Sequence, residues 1–221
     1  MKKLLTTALL TSGLIAAPAM AKLSVNVGAI NVNPDSGTSY LNEIPTAGVS
    51  VDSNTQLGIT FDYAINDNWV VELVAATPFS HDISGEGKIG DLAIGGASIG
   101  STKHLPPSLF AQYHFGSAGD KFRAFVGAGV NYTIFFDSEA GADLKAVLGT
   151  DDVKLELSNS FGLAGQVGAN YMINEKWGIH AMASYIDIDT DAEVFAGGNK
   201  VLTSDVAIDP FVFMLGAKYK F

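Results

Sequence analysis

Three aspartates at alternate positions, Asp187, Asp189 and Asp191, are the most evident candidates for metal binding in this sequence. Alternate residues of a strand share one face, so the three carboxylates would offer oxygen ligands together, the kind that hard divalent cations prefer. The same carboxylates could contact lipopolysaccharide through bridging ions. A solvated acidic edge gives the same pattern, so we expect neither a metal site nor a cofactor.

Histidine and serine are the other residue types that could do chemistry. The sequence has four histidines, at His81, His104, His114 and His180. Their separations are unlike the close spacing of zinc ligands. Ser80 adjoins His81 and Ser108 lies near His104, but neighbouring strand residues point to opposite faces and no catalytic motif surrounds either serine. The chain has no Cys, which excludes thiol catalysis and disulfides. We therefore expect no enzymatic activity.

Residues 211–221 indicate the kind of element that carries these side chains. Alternate positions form an apolar face of Phe211, Phe213, Leu215, Ala217, Tyr219 and Phe221. This period of two predicts a strand, and an apolar outward face ending in an aromatic residue is typical of the closing strand of a transmembrane β-barrel. We expect the barrel-assembly machinery to read the largest of these side chains as a signal; they are Phe211, Phe213, Leu215, Tyr219 and Phe221.

The first 21 residues have the features of a cleavable signal peptide. Lys2 and Lys3 precede an apolar stretch at 4–17, and the small residues Ala19 and Ala21 follow it. We expect export through the periplasm and a mature protein that forms one outer-membrane barrel domain over residues 22–221. No later apolar run approaches the roughly 18 residues that a spanning helix needs, so any membrane crossing should use strands.

The charge balance narrows the possible partners. The chain carries 23 acidic and 13 basic side chains, a formal net charge of −10. Because nucleic-acid binding depends on basic surfaces, this excess of acids argues against nucleic acid as a partner. Hydrophobic residues make up 48% of the chain and recur periodically, which predicts a folded domain rather than a disordered one.

Alternating segments of about membrane-strand length recur along the chain. The expected strands are residues 23–33, 54–65, 69–81, 104–115, 121–136, 159–173, 177–189 and 207–221. Short turns at 66–68, 116–120 and 174–176 alternate with long segments at 34–53, 82–103, 137–158 and 190–206. Outer-membrane barrels keep their short turns in the periplasm and their long loops outside. The expected fold class is therefore all-β, an eight-stranded antiparallel up-and-down transmembrane β-barrel.

Two sequence details refine this barrel. Residues 63–69 are echoed at 171–177, which places a Tyr and a Trp on either side of two short turns, as in an interfacial aromatic girdle. Pro106 and Pro107 cannot donate ladder hydrogen bonds, so we expect them at the upper rim of the fourth strand. A soluble lipocalin-like barrel is the alternative fold, but it would turn its apolar face inward.

Seven segments, in sequence order, resemble strand motifs of the OmpW family of small outer-membrane proteins. They are 54–61 (NTQLGITF), 72–81 (ELVAATPFSH), 104–113 (HLPPSLFAQY), 126–136 (VGAGVNYTIFF), 164–168 (AGQVG), 187–191 (DIDTD) and 209–214 (DPFVFM). The resemblance covers nearly the whole mature chain. It implies a monomeric eight-stranded barrel in the Gram-negative outer membrane, with a narrow apolar passage for small hydrophobic compounds. The long segments depart most from the family pattern, so surface ligands do not carry over.

The alternation also predicts which side chains line the barrel, because residues between the lipid-facing ones must point inward. Near the periplasmic turns the expected inward residues are polar and would form a plug; they are Asp62, Glu72, His114, Arg123, Asn170, His180 and Lys218. Higher up they are mostly apolar and would line a ligand passage; they are Val74, Ala76, Phe110, Met182, Ser184, Ile186 and Met214. An eight-stranded barrel leaves no room for a wide aqueous pore.

This division of the lumen predicts a function. A small hydrophobic molecule entering from outside would gain roughly 25 cal/mol per Å2 of buried apolar surface before it reached the charged plug. We therefore expect it to leave sideways, between strands and into the bilayer. The expected partners are the lipid bilayer, lipopolysaccharide, the barrel-assembly machinery and small hydrophobic solutes. The alternative is a structural or adhesive barrel with a filled lumen, which acts through its extracellular loops.

Overall fold

The computed structural model describes residues 22–35, 39–41 and 44–221. The expected signal peptide, at residues 1–21, lies outside the described residues. In chain order the strands are β1 (Leu23–Asn33), β2 (Ser39–Leu41), β3 (Ile44–Val51), β4 (Asn54–Ala64), β5 (Trp69–Ala76), β6 (Phe79–Ile89), β7 (Leu92–Ala93) and β8 (Ser98–Leu105). They continue with β9 (Ser108–His114), β10 (Phe122–Ala140), β11 (Val153–Leu157), β12 (Ser160–Met172), β13 (Trp177–Ile186), β14 (Asp189–Ala196), β15 (Asn199–Ala207) and β16 (Phe211–Lys220).

One short helix, α1 (Ala142–Leu148), lies within the described part of the chain. It starts after Gly141 and ends at Gly149, whose φ of 68° is left-handed and closes the last turn. No helix in the described ranges is long and apolar enough to cross a membrane.

Eight of the strands close into a barrel, in the order β1, β4, β5, β9, β10, β12, β13 and β16. Every neighbouring pair is antiparallel, and β16 pairs with β1 from Asn33↔Phe211 to Ser24↔Lys220, which completes the circle. This arrangement confirms the predicted fold class. Closure leaves no unpaired edge, which is the condition for strands to cross a lipid bilayer.

The outer face of the barrel wall carries apolar side chains, and the inner face carries both polar and apolar ones, as the period of two along each strand requires. On β16, Phe211, Phe213 and Leu215 are exposed on the outside, while Met214 and Lys218 are buried inside. Aromatic side chains flank the short turns as expected, with the ring of Trp69 packed edge-on against Tyr113 and that of Trp177 against Tyr219. The outward apolar band is thus bounded by aromatic residues at the turn end.

The long segments between the barrel strands are more ordered than their polar composition predicted. The segments expected as loops contain β2, β3, β7, β11, α1 and most of β6, β8, β14 and β15. Strands β3, β6 and β8 join the upper part of β10 in one sheet, while β11, β14 and β15 form a second sheet. These two sheets continue the wall above the outward apolar band. The space they enclose, here called the upper chamber, was not anticipated by the sequence analysis.

Pro78 lies between β5 and β6, and Pro106 and Pro107 lie between β8 and β9, so the wall continues on both sides of these prolines. Pairing of β5 with β9 ends at Val74↔Ser108, and pairing of β6 with β8 begins at Phe79↔His104. Residues 75–78 and 105–107, all of them described, form no backbone pairs with each other across this interval. The two facing segments, here called the wall gap, interrupt the wall at mid-height. Pro106 and Pro107 lie at the upper end of β9, where its pairing with β5 ends, as expected, but pairing resumes above them between β6 and β8.

Strands β1 and β16 approach each other closely at Gly28, a residue of β1, which pairs with β4 on one side and with β16 on the other. A Cβ atom at this position would stand 2.1 Å from the backbone oxygen of Leu215, so any larger residue would push the strands apart. This glycine therefore permits close packing of β1 against β16.

Candidate functional site

The lower lumen is filled by polar side chains that bond to one another across the barrel. Lys218 forms an ion pair with Asp62, and both side chains are almost fully buried. Asn26 donates from Nδ2 to Thr60 Oγ1 at 2.6 Å and to Asp62 Oδ1 at 3.0 Å. Lys218 also donates to Asn26 Oδ1 at 3.3 Å. The buried carboxylate is thus matched by one cation and by neutral donors, as a charge in a low-dielectric interior requires.

Glu72 lies beside this pair and is held mainly by amides. Gln112 and Gln166 donate from Nε2 to its Oε2 at 2.7 and 2.8 Å. The other oxygen, Oε1, lies 3.7 Å from Nε2 of His180, which is too far for a hydrogen bond. Within the described residues neither of these two atoms has a hydrogen-bond partner. Among the described residues Glu72 therefore has no lysine or arginine partner.

The two lumen histidines complete this layer. His180 bonds through Nδ1 to Asn170 Oδ1 at 2.9 Å, and His114 bonds through Nε2 to Gln112 Oε1 at 2.7 Å. Their rings stack on opposite sides of the Phe125 ring, with centroid separations of 4.9 and 5.7 Å. We call the bonded set the polar network; it comprises Asn26, Thr60, Asp62, Glu72, Gln112, His114, Gln166, Asn170, His180 and Lys218.

Arg123 lies below the polar network, at the periplasmic mouth. Its guanidinium donates to the backbone oxygens of Asp67, Phe115 and His114, at 2.7, 3.1 and 3.2 Å. Arg123 was predicted to be one of the plug residues, but its side chain instead ties together two periplasmic turns below the polar network. The mouth itself is an open cavity of about 410 Å³.

Apolar side chains fill the lumen above the polar network, and we call them the apolar layer. They include Ile30, Val32, Val74, Phe79, Phe110, Met182, Ile186, Val212 and Met214. The space left within this layer is only about 10 Å³, roughly the volume that admits one water molecule. The wall gap borders that space through Ala75, Ala76 and Pro106.

An apolar cavity of about 80 Å³ lies in the upper chamber, and we call it the upper cavity. By the same measure a single water needs roughly 10–15 Å³, so this cavity is large enough for a small molecule. Its apolar lining includes Val49, Ile83, Ile99, Leu155, Ala192 and Val194. The polar side chains in the lining are His81, Thr102, His104, Thr190 and Ser204.

The predicted passage residues all face the lumen, but they do not line an open space. Val74, Phe110, Met182, Ile186 and Met214 are buried against one another in the apolar layer. Ala76 packs against them and Ser184 lies beside Ile186 at the 10 Å³ space. The open apolar volume lies above them, in strands that were expected to be loops.

Several residues that complete the site were missed. Asn26 and Phe125 face inward by the same alternation that placed Lys218 and Arg123, and that signal would have found them. The upper cavity gave no comparable signal, because its lining comes from segments whose alternation is broken by glycine and polar residues.

The acidic edge is assembled differently from the expected row of three carboxylates. Asp187 and Asp189 converge with Asp209 from the segment before β16, and these carboxylates lie within 4.8 Å of one another. Asp191 instead lies beside Asp205 of the paired strand β15. Partial burial, together with Asp209 and Asp187, raises the pKa of Asp189. No ion is needed to explain an exposed group of this kind.

Replacing Asp191 with asparagine is expected to stabilise the β14–β15 hairpin at neutral pH and to have no effect in acid. The neighbouring carboxyl of Asp205 raises the pKa of Asp191. An acid with a raised folded-state pKa lowers stability above that pKa, and the effect vanishes below the ordinary Asp range near about pH 4. Amide hydrogen exchange of β14 and β15 at about pH 7 should show greater protection in the variant. Equal protection of both proteins at that pH would contradict the expectation.

The chain matches the model of the OmpW family over residues 19–221. It is 44% identical over 226 residues to outer membrane protein W of Escherichia coli (strain K12), covering 100% of both chains. The crystal structure of the outer membrane protein OprG from Pseudomonas aeruginosa is similar with a TM-score of 0.77 and 38% identity, over 90% of this chain and 95% of that one. A more distant relative is the dibenzothiophene metabolism operon protein PahQ of Pseudomonas aeruginosa, 29% identical over 204 residues, 90% of this chain and 89% of that protein.

These similarities agree with the closed barrel and its lipid-facing band. The relatives are outer-membrane barrel proteins of Gram-negative bacteria, a non-enzymatic kind of protein. The cell outer membrane is therefore the location of this protein, and its outer face contacts the lipid bilayer. The chain belongs to the OmpW family of outer-membrane β-barrel proteins.

Proposed function

We propose that this barrel admits small hydrophobic molecules from the cell exterior and releases them sideways into the outer membrane. The observation that carries the proposal is the vertical order of the lumen: the upper cavity, then the apolar layer beside the wall gap, then the polar network. A solute moving down this series remains in apolar surroundings until it reaches buried charge.

Capture is the first step of the proposal. An apolar molecule in the upper cavity is removed from water, which favours it by roughly 25 cal/mol per Å2 of buried apolar surface. The proposal places entry at the outer end of the upper chamber, so that binding needs no prior contact with lipid. The name of the relative PahQ links that protein to the metabolism of dibenzothiophene, an apolar aromatic compound, which supports an apolar substrate class here.

The polar network is the reason that the proposed route does not run straight through. Asp62, Lys218 and Glu72 are bonded across the lumen, and an apolar solute offers no hydrogen bonds to replace theirs. Separating the buried ion pair would leave two uncompensated charges, at a cost of several kcal/mol. The predicted plug residues are proposed to act in this way as a closed floor.

The wall gap is the proposed exit. Residues 75–78 and 105–107 have no ladder hydrogen bonds to each other, so widening this interval breaks no backbone pair. Phe79 and Phe110 of the apolar layer lie beside it and must move aside for a solute to pass. The proposal thus requires side-chain movement but no unfolding of the barrel.

We extend the proposal to export and assembly. Residues 1–21 direct export and are removed, residues 22–221 form the barrel domain, and the apolar face of β16 serves the barrel-assembly machinery. The acidic edge at Asp187, Asp189 and Asp209 is placed to contact lipopolysaccharide, and the closed barrel works as a monomer. Each of these statements is separable from the solute route.

Restoring backbone donors at the wall gap is expected to abolish uptake. Replacing Pro78, Pro106 and Pro107 together with valine supplies three N–H groups, which allows the facing segments to pair. We expect the initial uptake of labelled naphthalene by Gram-negative cells making this variant to fall to the level of cells that lack the barrel. Cells making the unaltered protein set the upper reference.

The matched control removes the charges of the floor as a pair. In Asp62→Asn combined with Lys218→Met neither member of the ion pair is left without its partner, so the barrel should fold. Lateral release predicts little change in naphthalene uptake, whereas axial passage through the floor predicts a large increase. If the unaltered protein gives no more uptake than cells lacking it, the barrel is instead a structural or adhesive one that acts through its outer segments.

A further inference from the structure

Two histidines lie next to each other in the lining of the upper cavity, and the proposed route gives them no role. His81 comes from β6 and His104 from β8, and their rings stack with a centroid separation of 4.9 Å. Phe79 and Phe135 lie on either side, with ring centroids 5.4 and 5.7 Å from that of His104. Both imidazoles are buried among apolar groups, which favours their neutral forms.

The hydrogen bonds assign the proton positions of both rings. His81 Nδ1 lies 2.6 Å from the backbone oxygen of Asp52, which can only accept, so Nδ1 carries the proton. The other nitrogen of neutral His81, Nε2, is then an acceptor. It lies 2.9 Å from His104 Nε2, which must therefore be the donor. A neutral His104 that donates from Nε2 has a lone pair, and no proton, on Nδ1.

That lone pair is unsatisfied. His104 Nδ1 is buried and has no hydrogen-bond partner anywhere in the described ranges. Leaving a buried acceptor unpaired costs roughly 1–3 kcal/mol, so such atoms call for an explanation. The bond to His81 also prevents His104 from escaping the cost by moving its proton to Nδ1.

The other polar side chains that line the upper cavity are already engaged. The hydroxyl of Thr102 bonds to Ser138 Oγ at 2.8 Å, and that of Thr190 donates to the backbone oxygen of Ser158 at 2.7 Å. Ser204 donates to the backbone oxygen of Asp205 at 3.5 Å. Among the described polar side chains of the lining, His104 Nδ1 is therefore the one buried nitrogen or oxygen atom that makes no hydrogen bond.

We propose that the upper cavity selects apolar molecules that carry one hydrogen-bond donor, such as alcohols and phenols, and that His104 Nδ1 accepts the hydrogen bond from that donor. His81 is the positioning residue, since its contact with Asp52 fixes which nitrogen of His104 is free. This inference rests on the proposed function and names the substrate class within it. Because Nδ1 is covered when the cavity is empty, ligand entry includes a small displacement of the side chains around the ring.

The test compares two solutes of the same shape. 1-Naphthol has the donor, and 1-methylnaphthalene carries a methyl group in its place. In cells making the unaltered protein, we expect the ratio of barrel-dependent uptake of 1-naphthol to that of 1-methylnaphthalene to be roughly 2- to 10-fold higher than in His104→Phe, the range of one hydrogen bond. Val201→Phe, which places the same ring at an exposed position of β15 outside the cavity lining, should leave the ratio unchanged.

An equal ratio in the unaltered protein and His104→Phe would overturn the inference while leaving the proposed function intact, since both solutes would still enter. Uptake of neither solute above cells lacking the barrel would overturn both.

Imidazole 15N NMR of the unaltered protein gives a readout that does not depend on folding of a variant. We expect His81 as the Nδ1–H tautomer, His104 as the Nε2–H tautomer, and a shift of the His104 Nδ1 resonance with 1-naphthol but not with 1-methylnaphthalene. A proton on His104 Nδ1, or identical shifts with both solutes, would overturn the inference.

Discussion

Replacing Lys218 with methionine is expected to destabilise the barrel by about 3–5 kcal/mol, the usual cost of leaving a buried charge without its partner. Asp62 would keep only the neutral donors Asn26 and Thr60, in a lumen where its carboxylate is almost fully buried. Methionine is chosen because it preserves most of the length and apolar volume of the lysine stem. Urea unfolding in lipid vesicles measures the loss as a lower midpoint.

The double variant is the control for this expectation. Asp62→Asn combined with Lys218→Met removes both charges, and replacing a whole buried pair by neutral groups is often close to neutral in stability. The double variant should therefore unfold at a higher urea concentration than the single one. If the two variants were equally unstable, the loss would come from packing around position 218 and not from the charge of Asp62.

Filling the upper cavity should remove solute uptake almost completely. Ala192 lines the cavity from β14, and a tryptophan there would occupy much of its volume of about 80 Å³. The large ring would take the place of the solute, so we expect naphthalene uptake by cells making Ala192→Trp to fall to the level of cells lacking the barrel. Its binding of naphthalene should be lost in the same proportion.

The matched control is Val201→Trp, which adds the same ring to the neighbouring strand β15. Val201 is 46% exposed and is not among the residues lining the cavity, so uptake should be retained. Normal uptake by a folded Ala192→Trp protein would show that solutes do not pass through the upper cavity. Loss in both variants would point to general damage of the upper sheets.

The barrel could be predicted from the sequence because lipid imposes a strict rule on its strands. Every second residue faces hydrocarbon, so the inward positions of Asp62, Glu72 and Lys218 followed from their neighbours alone. The antiparallel order followed from the short turns, whose periplasmic placement fixes the direction of each strand. The family assignment rested on the same strand motifs.

The upper chamber could not be predicted because that rule ends at the membrane surface. There both faces of a strand meet water or other loops, and pairs such as Val51↔Ile83 join segments far apart in sequence. The alternation of polar and apolar residues is then weak. For the same reason the sequence did not reveal Asp209 as part of the acidic edge, since it comes from a different element than Asp187. The place of Arg123 was also hidden, since bonds to backbone oxygens depend on turn geometry and carry no sequence pattern.

Strand β10 runs unbroken for 19 residues from the periplasmic turn into the upper sheet, whereas the wall beside it is interrupted at Pro106 and Pro107, between β8 and β9, and then at Pro78, between β5 and β6. A hydrogen-bonded ribbon resists bending along its whole length, while an interrupted one flexes at the break. The cylinder is consequently stiff along one seam and compliant along another. We expect the thermal motion of the upper sheets to be largest at the wall gap, because this side of the wall has the fewest hydrogen bonds to lose.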